Sequence, residues 1–265
     1  MLQRIEHANG VVTYQSRLLG ATGVLHAFTT RIGGISQGIF ASLNLGSLAK
    51  DSATDPNTHV AENFRRLRAA LGCPHHLRMA ARQVHGNAVW VTGNRPVKPA
   101  DAPEADAIVT KHPRTLLTIR TADCVPILLA HESGRVVAAV HAGWRGVLGQ
   151  VVKTAVDTMS ERFELTPSQL LAAIGPCISL PHFEVGPEVS CGFEAASLDQ
   201  VIDRNRARPH IDLPRAVQLQ LHAAGLLPQQ IDTTDRCSFH HEQEFFSHRR
   251  DKSPTGRMAA VIAVR

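Results

Sequence analysis

The chain has 265 residues, of which 43% are hydrophobic and 19% are charged, a composition typical of a globular protein long enough to bury a large core. Its longest apolar runs are too short to cross a membrane and residues 1–10 lack the apolar segment of a signal peptide, so we expect a cytoplasmic protein without a membrane partner. A net charge of +5 with only 5% aromatic residues argues against a nucleic-acid partner and favours small anionic ligands.

The first part of the chain predicts strands, a loop and a helix. Residues 11–30 resemble one or two strands, and a glycine-rich loop follows at residues 31–38. The longer loop region carries Arg31, Ser42 and Asn44, although on local sequence alone an ordinary surface loop is the simpler interpretation. A helix is predicted over residues 56–71, because apolar side chains recur three and four residues apart before Gly72.

The next segment contains two candidate site residues. Residues 82–91 predict a turn or the start of a strand, and residues 104–110 predict a short strand. His85 precedes a glycine and is a candidate ligand, although a single histidine is more often structural. Asp106 is a candidate partner for a histidine, because metal-binding imidazoles commonly donate their other N–H to a carboxylate.

The central segment, residues 116–163, predicts a β-hairpin followed by a helix. A turn at Ser133-Gly134 would pair residues 126–130 with residues 137–141. In this register Cys124 lies diagonally opposite His141 on the same face, within about 7–8 Å. One amphipathic helix is predicted after residues 143–146, where the glycine-flanked Arg145 precedes the helix N-terminus and suggests an anion site.

The remainder predicts further strands and helices without strict alternation. Leu170 to Ile174 predict a buried strand, residues 200–213 an exposed polar segment, and Pro214 opens a helix to about His222. Residues 258–264 predict a final apolar strand. We therefore expect one α+β domain over residues 1–265 with a mixed, largely antiparallel sheet.

His85, Cys124 and His141 form a candidate metal and catalytic set. Zinc binds nitrogen and sulfur ligands of this kind, and three protein ligands leave a fourth position for water or substrate. The five cysteines form no CxxC pair, which predicts reduced thiols and provides no local zinc-finger spacing.

The same side chains permit a competing interpretation. Cys124 could act as a nucleophile with His141 as its base, and either Asp123 or Asp106 could orient the imidazole. The two interpretations exclude each other in part, because a metal-bound thiolate is a weaker nucleophile.

Specific blocks of sequence run in order through nearly the whole chain: TRIGGIS and SLNLG (30–46), QVHG (83–86), ADAIVT (105–110), TADCVPILL (121–129), VAAVHAGWRG (137–146), AAIGPCIS (172–179) and FFSHRRDKSPTGRMAAVI (245–262). Together they resemble the family known variously as polyphenol oxidase laccase, purine nucleoside phosphorylase and peptidoglycan editing factor. The resemblance implies a layered α/β sandwich, a zinc or copper site at His85, Cys124 and His141, and a substrate-side loop that contains Arg31, Ser42 and Asn44. It also implies phosphorolysis of adenosine, inosine, guanosine and methylthioadenosine, and deamination of adenosine.

The laccase name fits this sequence poorly, because none of its 15 histidines forms a His-x-His pair and one three-ligand site cannot hold a four-copper relay. We therefore interpret the chain as a zinc-dependent enzyme acting on purine nucleosides and phosphate, with Arg31 and Arg145 holding the phosphate. The alternatives are a cysteine amidase-type hydrolase of peptidoglycan precursors, a copper-dependent polyphenol oxidase, and a zinc-stabilised binding protein. The sequence leaves the oligomeric state open, a monomer included.

Overall fold

Two six-stranded sheets pack face to face in the computed structural model, which describes residues 1–46, 54–252 and 254–265. Ser253 of the last sequence block lies outside the described residues. The strands of the described part are β1 (Gln3–Glu6), β2 (Val12–Gln15), β3 (Leu25–Thr29), β4 (Leu77–Met79), β5 (Val89–Val91), β6 (Ala107–Thr110), β7 (Thr115–Thr121), β8 (Val125–His131), β9 (Val137–Ala142), β10 (Leu170–Ile174), β11 (Ile202–Asp203), β12 (His210–Ile211), β13 (Ile231–Asp232) and β14 (Met258–Ala263). The helices are α1 (Arg17–Ala21), α2 (Asn57–Ala70), α3 (Trp144–Leu148), α4 (Val151–Phe163), α5 (Pro187–Ala195), α6 (Leu213–Ala223) and α7 (His248–Asp251).

Each large sheet is antiparallel in its interior and gains parallel pairs at its edges. The first sheet has the order β1-β2-β3-β14-β7-β4, and only the β4–β7 pair is parallel. The second sheet has the order β13-β10-β8-β9-β6-β5, and its two outermost pairs are parallel. The predicted α+β class with mixed, largely antiparallel sheets is confirmed.

The central strands of both sheets are buried on both faces, and this gives the fold four layers. In β14, Ala260 and Ile262 pack into the core between the sheets, whereas Val261 packs on the opposite side with Leu67 of α2. The second sheet mirrors this arrangement, because Val140 of β9 faces a core shared with α4, α5 and α6. Strands buried on both faces are largely apolar, as β14 is and as β9 is apart from His141. The order of layers is thus helix, sheet, sheet and helices.

The predicted hairpin register is confirmed. Pro126 pairs with His141 and Ala130 pairs with Val137 across β8 and β9. The helix predicted over residues 56–71 is also confirmed as α2, and Gly72 follows it with a φ of +68°. The helix predicted from Pro214 corresponds to α6, which Asp212 caps by accepting the main-chain N–H of Arg215.

Three local predictions were wrong or incomplete. The single helix expected after residues 143–146 is two helices, because Gln150 adopts a left-handed conformation with φ 59° between α3 and α4. Residues 200–213 are not uniformly exposed, since β11 and β12 pair there and Ile211 is fully buried. Residues 11–30 contain both predicted strands, but the short helix α1 separates them.

None of the helices in the described part of the chain is long and apolar enough to cross a membrane.

Candidate metal and active site

The candidate site lies where the chain passes from the first sheet to the second. Strand β7 ends at Thr121 in the first sheet and β8 begins at Val125 in the second, so residues 122–124 make the crossing. Asp123 has a φ of 101°, a conformation that non-glycine residues rarely adopt. Pro126 pairs directly with His141, and Cys124 lies two residues before Pro126. Cys124 is therefore diagonally opposite His141, as the sequence predicted.

Asp106 orients His141. Its carboxylate is fully buried, and its Oδ1 lies 2.7 Å from Nδ1 of His141. An ionised carboxylate only accepts hydrogen bonds, so Nδ1 carries a proton and donates it, which leaves Nε2 as the ring nitrogen that can bind a metal once its own proton is lost. Asp106 is therefore the histidine partner, as the sequence predicted.

The same carboxylate shapes the turn that carries His85. Asp106 accepts the main-chain N–H groups of Val84, His85 and Gly86 at 3.1, 3.0 and 2.7 Å. These bonds hold a tight turn in which His85 itself has a φ of 60°. One buried side chain thus positions both histidines, although they come from distant parts of the sequence.

His85, Cys124 and His141 converge on one point. Their ligand atoms all lie within 4.8 Å of one another, and the two imidazole rings meet edge to face with centroids 4.9 Å apart. Within the described residues this is the only such group of three or more potential ligands. Two imidazole nitrogens and a thiolate suit zinc or copper, whereas calcium and magnesium prefer oxygen ligands. The donor set therefore fits the implied metal.

Charge within the group favours a thiolate. Burial alone would raise the pKa of the Cys124 thiol, but the charge of His141 and hydrogen bonds from both histidines lower it to about 6. Burial lowers the pKa of His141, whereas the Cys124 thiolate and the Asp106 carboxylate outweigh burial and raise it to about 9. The thiolate is the form that binds a metal or attacks carbon, so the arrangement supports either chemistry.

Asp123 does not orient the His141 imidazole. The nucleophile hypothesis therefore keeps only Asp106 as the orienting carboxylate. Its Oδ1 accepts a hydrogen bond from the Ser238 hydroxyl, and its Oδ2 accepts one from the main-chain N–H of Arg249, both at 2.7 Å. Its main-chain carbonyl also accepts the N–H of Ile178. Asp123 therefore holds Ile178, Ser238 and Arg249 near Cys124 through hydrogen bonds.

Gly143 packs directly against the metal-binding side chains. A Cβ at this position would lie 2.8 Å from Cδ2 of His85 and 3.1 Å from Sγ of Cys124. Its φ of −75° suits any residue, so the requirement for glycine comes from close approach alone.

We expect Gly143→Ala to weaken zinc binding by about tenfold or more, because the new methyl group displaces the His85 ring and disturbances around metal ligands commonly cost 10–100-fold. Competition with a chromophoric chelator measures the affinity, and circular dichroism checks the fold. Gly93→Ala is the matched control, since a Cβ there meets nothing within 4 Å. Unchanged zinc affinity in Gly143→Ala would contradict the packing argument.

A cleft of about 550 Å³ opens at the three side chains. This volume lies within the usual range for small-molecule sites. Four arginines contribute to its walls: Arg120, Arg145, Arg249 and Arg257. The cleft is thus suited to a small anion or to a molecule that carries one.

The four residues predicted to bind substrate occupy three different places. Arg145 lines the cleft, with its guanidinium 4.2 Å from the Trp144 ring centroid. Arg31 and Ser42 instead line a second depression, where Arg31 donates to the main-chain oxygens of Ala41 and Glu242.

Asn44 is fully buried beneath the loop. Its Oδ1 accepts the main-chain N–H groups of Gly46 and Arg257, and both of these residues line the cleft. Its side-chain amide donates to Asp55 and to the carbonyl of Gly46. Asn44 can therefore affect the cleft through the residues that it holds.

Sequence reasoning missed Arg120, Phe183, His248 and Arg249 as cleft residues. The basic run at residues 248–250 was visible but had no chemical context, and Arg120 was hidden in an otherwise ordinary strand. Their positions depend on the crossing between the sheets and on the loops that Asp123 holds, which local patterns do not reveal.

The chain is similar to known proteins over most of its length. A family model described as multi-copper polyphenol oxidoreductase laccase matches residues 25–265. A purine nucleoside phosphorylase of Deinococcus radiodurans is 41% identical over 244 residues, which cover 91% of this chain and 89% of the relative. The purine nucleoside phosphorylase YfiH of Escherichia coli is 37% identical over 243 residues, or 91% and 93% of the two chains. The crystal structure of YlmD from Geobacillus stearothermophilus superimposes with a TM-score of 0.87 at 31% identity, covering 99% of this chain and 98% of that one.

Fold and site together define a mixed α/β protein with a three-ligand His₂Cys group at a basic cleft. The chain belongs to the family described as multi-copper polyphenol oxidoreductase laccase, whose members compared above carry the name purine nucleoside phosphorylase.

Proposed function

We propose that this protein is a zinc-dependent purine nucleoside enzyme. It catalyses phosphorolysis of adenosine, inosine, guanosine and methylthioadenosine, and it deaminates adenosine. The observation that carries the proposal is the convergence of His85, Cys124 and His141 at the cation-lined cleft. The relatives named purine nucleoside phosphorylase support the class of substrate.

His85, Cys124 and His141 would hold the metal, which when bound supplies Lewis-acid polarisation and acidifies water. Asp106 fixes the His141 tautomer so that Nε2 faces the site, and it holds the His85 turn. In phosphorolysis, a phosphate oxygen forms a bond to C1′ of the ribose as the bond to the purine nitrogen breaks. In deamination, water adds at C6 of adenine and ammonia leaves.

Arg145 is positioned to hold phosphate at the cleft, because a guanidinium binds oxyanions with two parallel hydrogen bonds. For Arg31, Ser42 and Asn44 we propose an indirect role in substrate binding. Arg31 and Ser42 shape the loop, since the Ser42 hydroxyl donates to the main-chain oxygen of Arg31, and Asn44 holds Gly46 and Arg257 at the cleft.

One alternative has a specific observation in its favour. Cys124, His141 and Asp106 are arranged as a nucleophile, a base and an orienting carboxylate, with the pKa of Cys124 lowered to about 6 despite its burial, through the charge of His141. This arrangement suits an amidase-type hydrolase that acts on peptidoglycan precursors. A copper-dependent polyphenol oxidase gains no comparable support, because the described residues contain one three-ligand group rather than the several that a copper relay needs.

Removing the metal tests the proposal. We expect purified protein to convert adenosine and phosphate to adenine, and adenosine to inosine, with both products disappearing after chelation and returning when zinc is restored. Chromatography of the products measures both reactions. Chelated protein kept with a magnesium salt is the control for nonspecific cation effects. Product formation that persists in demonstrably metal-free protein would contradict the zinc mechanism, whereas no product from zinc-loaded protein would favour the cysteine hydrolase.

A further inference from the structure

The basic cleft has far more positive than negative charge. Of the described residues that line it, Asp123 is the only carboxylate, and both of its oxygens already accept hydrogen bonds from Ser238 and Arg249. None of the ion pairs between described residues includes Arg120, Arg145 or Arg249. A cleft with several cations and one carboxylate is suited to an anionic ligand.

Arg120 is a partly buried cation that pairs with no carboxylate among the described residues. It is only partly exposed, and burial lowers the pKa of its guanidinium with no carboxylate to oppose the effect. Arg78 lies near enough for the positive charge of Arg120 to depress its pKa further, after the larger effect of burial. A sheltered guanidinium beside a like charge and without a counter-ion is costly unless an anion offsets it.

The main chain of Arg120 is held in place. The Gln83 side chain donates to the carbonyl of Arg120 at 2.8 Å and accepts its N–H at 2.9 Å. Gln83 also lines the cleft and lies two residues before His85. The backbone that carries this cation is therefore fixed relative to the turn that carries a metal-binding histidine.

Arg249, which also lines the cleft, is held in place by contacts of its own. Its main-chain N–H donates to Asp123, its Nη1 donates to the carbonyl of Glu184 at 2.7 Å, and its guanidinium lies 5.3 Å from the Phe183 ring centroid. These contacts occupy one N–H of the guanidinium and leave others free. A preorganised guanidinium loses little entropy when it binds an oxyanion.

We propose that Arg120 and Arg249 form an oxyanion subsite in the cleft, which binds a phosphate group beside the His85, Cys124 and His141 group. The ligand is either inorganic phosphate or the 5′-phosphate of a purine nucleotide, since both present the same oxygens. Only the identity of the anion rests on the proposed nucleoside function. The subsite itself follows from the unpaired cations.

Phosphate binding to zinc-loaded protein, measured by isothermal titration calorimetry, tests the subsite directly. We expect Arg120→Gln and Arg249→Gln each to weaken binding of inorganic phosphate by about tenfold or more, because each removes a charge-assisted hydrogen bond. Arg78→Gln is the matched control, since Arg78 is an arginine near Arg120 but stacks on Phe64 and does not line the cleft. We expect this control to alter phosphate affinity less than twofold.

Competition identifies the source of the phosphate. If adenosine 5′-monophosphate displaces inorganic phosphate and adenosine does not, the subsite takes the nucleotide phosphate. If phosphate and adenosine bind together, the subsite takes free phosphate as a second substrate. In that case the same variants should raise KM for phosphate more than they raise KM for adenosine.

Unchanged phosphate affinity in both variants, or no phosphate binding by the wild-type protein, would overturn the subsite. This result is separate from failure of the proposed function, because direct binding needs no turnover. Conversely, phosphorolysis that depends on zinc but has the same phosphate KM in both variants would leave the function standing and reject the subsite. Because Arg249 is exposed, Arg249→Gln keeps the test valid if Arg120→Gln proves unstable.

Discussion

Cys124→Ala is expected to abolish stoichiometric zinc binding and to lower kcat/KM for adenosine phosphorolysis by more than about a hundredfold, the upper range for disturbing only the outer partners of a metal. The expectation follows from the site geometry, because the two remaining histidine ligands cannot complete a stable zinc site. Metal analysis of the purified protein and steady-state kinetics measure the two effects. Cys191→Ser is the matched control, since Cys191 is exposed and lies outside the cleft.

Alkylation separates a metal-bound thiolate from a free nucleophile. In metal-free protein the lowered pKa of Cys124, about 6 despite the opposing effect of burial, predicts rapid reaction with iodoacetamide. Zinc should slow that reaction strongly, because the bound sulfur lone pair is no longer available. Mass spectrometry in a Cys191→Ser background follows Cys124 with little interference, since the other three cysteines are buried. Rapid labelling of zinc-loaded protein, with loss of activity in proportion, would favour the nucleophile hypothesis.

The hairpin and its consequence for Cys124 could be predicted because a tight turn fixes strand register. Once Ser133-Gly134 is placed in the turn, alternation of side chains determines that Pro126 faces His141. His85 could not be placed in the same way. It reaches the site through a turn whose conformation depends on three hydrogen bonds to Asp106, which lies 21 residues further along the chain from His85.

The two-sheet arrangement was only partly predictable. Strands β7 and β14 are buried on both faces, so their composition shows burial without showing which layer covers each face. The break between α3 and α4 was missed for a related reason. Val147 and Val151 maintain helical spacing across Gly149 and Gln150, so the apolar pattern continues although the backbone does not.

The position of Arg31 shows that a resemblance to a family does not by itself establish what a matching residue does. Its loop matches the family's substrate-side loop, yet its guanidinium donates to two main-chain oxygens in a separate depression. The sequence pattern did not single out Arg120, because it is one cation in a strand that is otherwise buried. Arg120 lines the cleft because the chain crosses between the sheets at residues 122–124, and the strand pattern does not show this crossing.

Asp106→Asn is expected to damage the metal site and the fold together. The carboxylate accepts four hydrogen bonds, from the main chain of residues 84–86 and from Nδ1 of His141. An amide offers one accepting oxygen and places an N–H₂ group against donors, so buried N–H groups lose their partners. We expect the free energy of unfolding to fall by about 1–3 kcal/mol for each unsatisfied group, and zinc affinity to fall by about 10–100-fold.

The effect on zinc must be separated from a general loss of stability. Asp232→Asn serves as the control, because Asp232 is also buried and accepts the Ser16 hydroxyl at 2.9 Å, but it does not line the cleft. Denaturant unfolding of the metal-free proteins should show that both variants are destabilised, whereas chelator competition should show weakened zinc binding only in Asp106→Asn. Equal zinc affinity in the two variants would mean that His85 and His141 hold their positions without Asp106. The metal site would then depend on strand pairing and on Gly143, rather than on the carboxylate that links its two histidines.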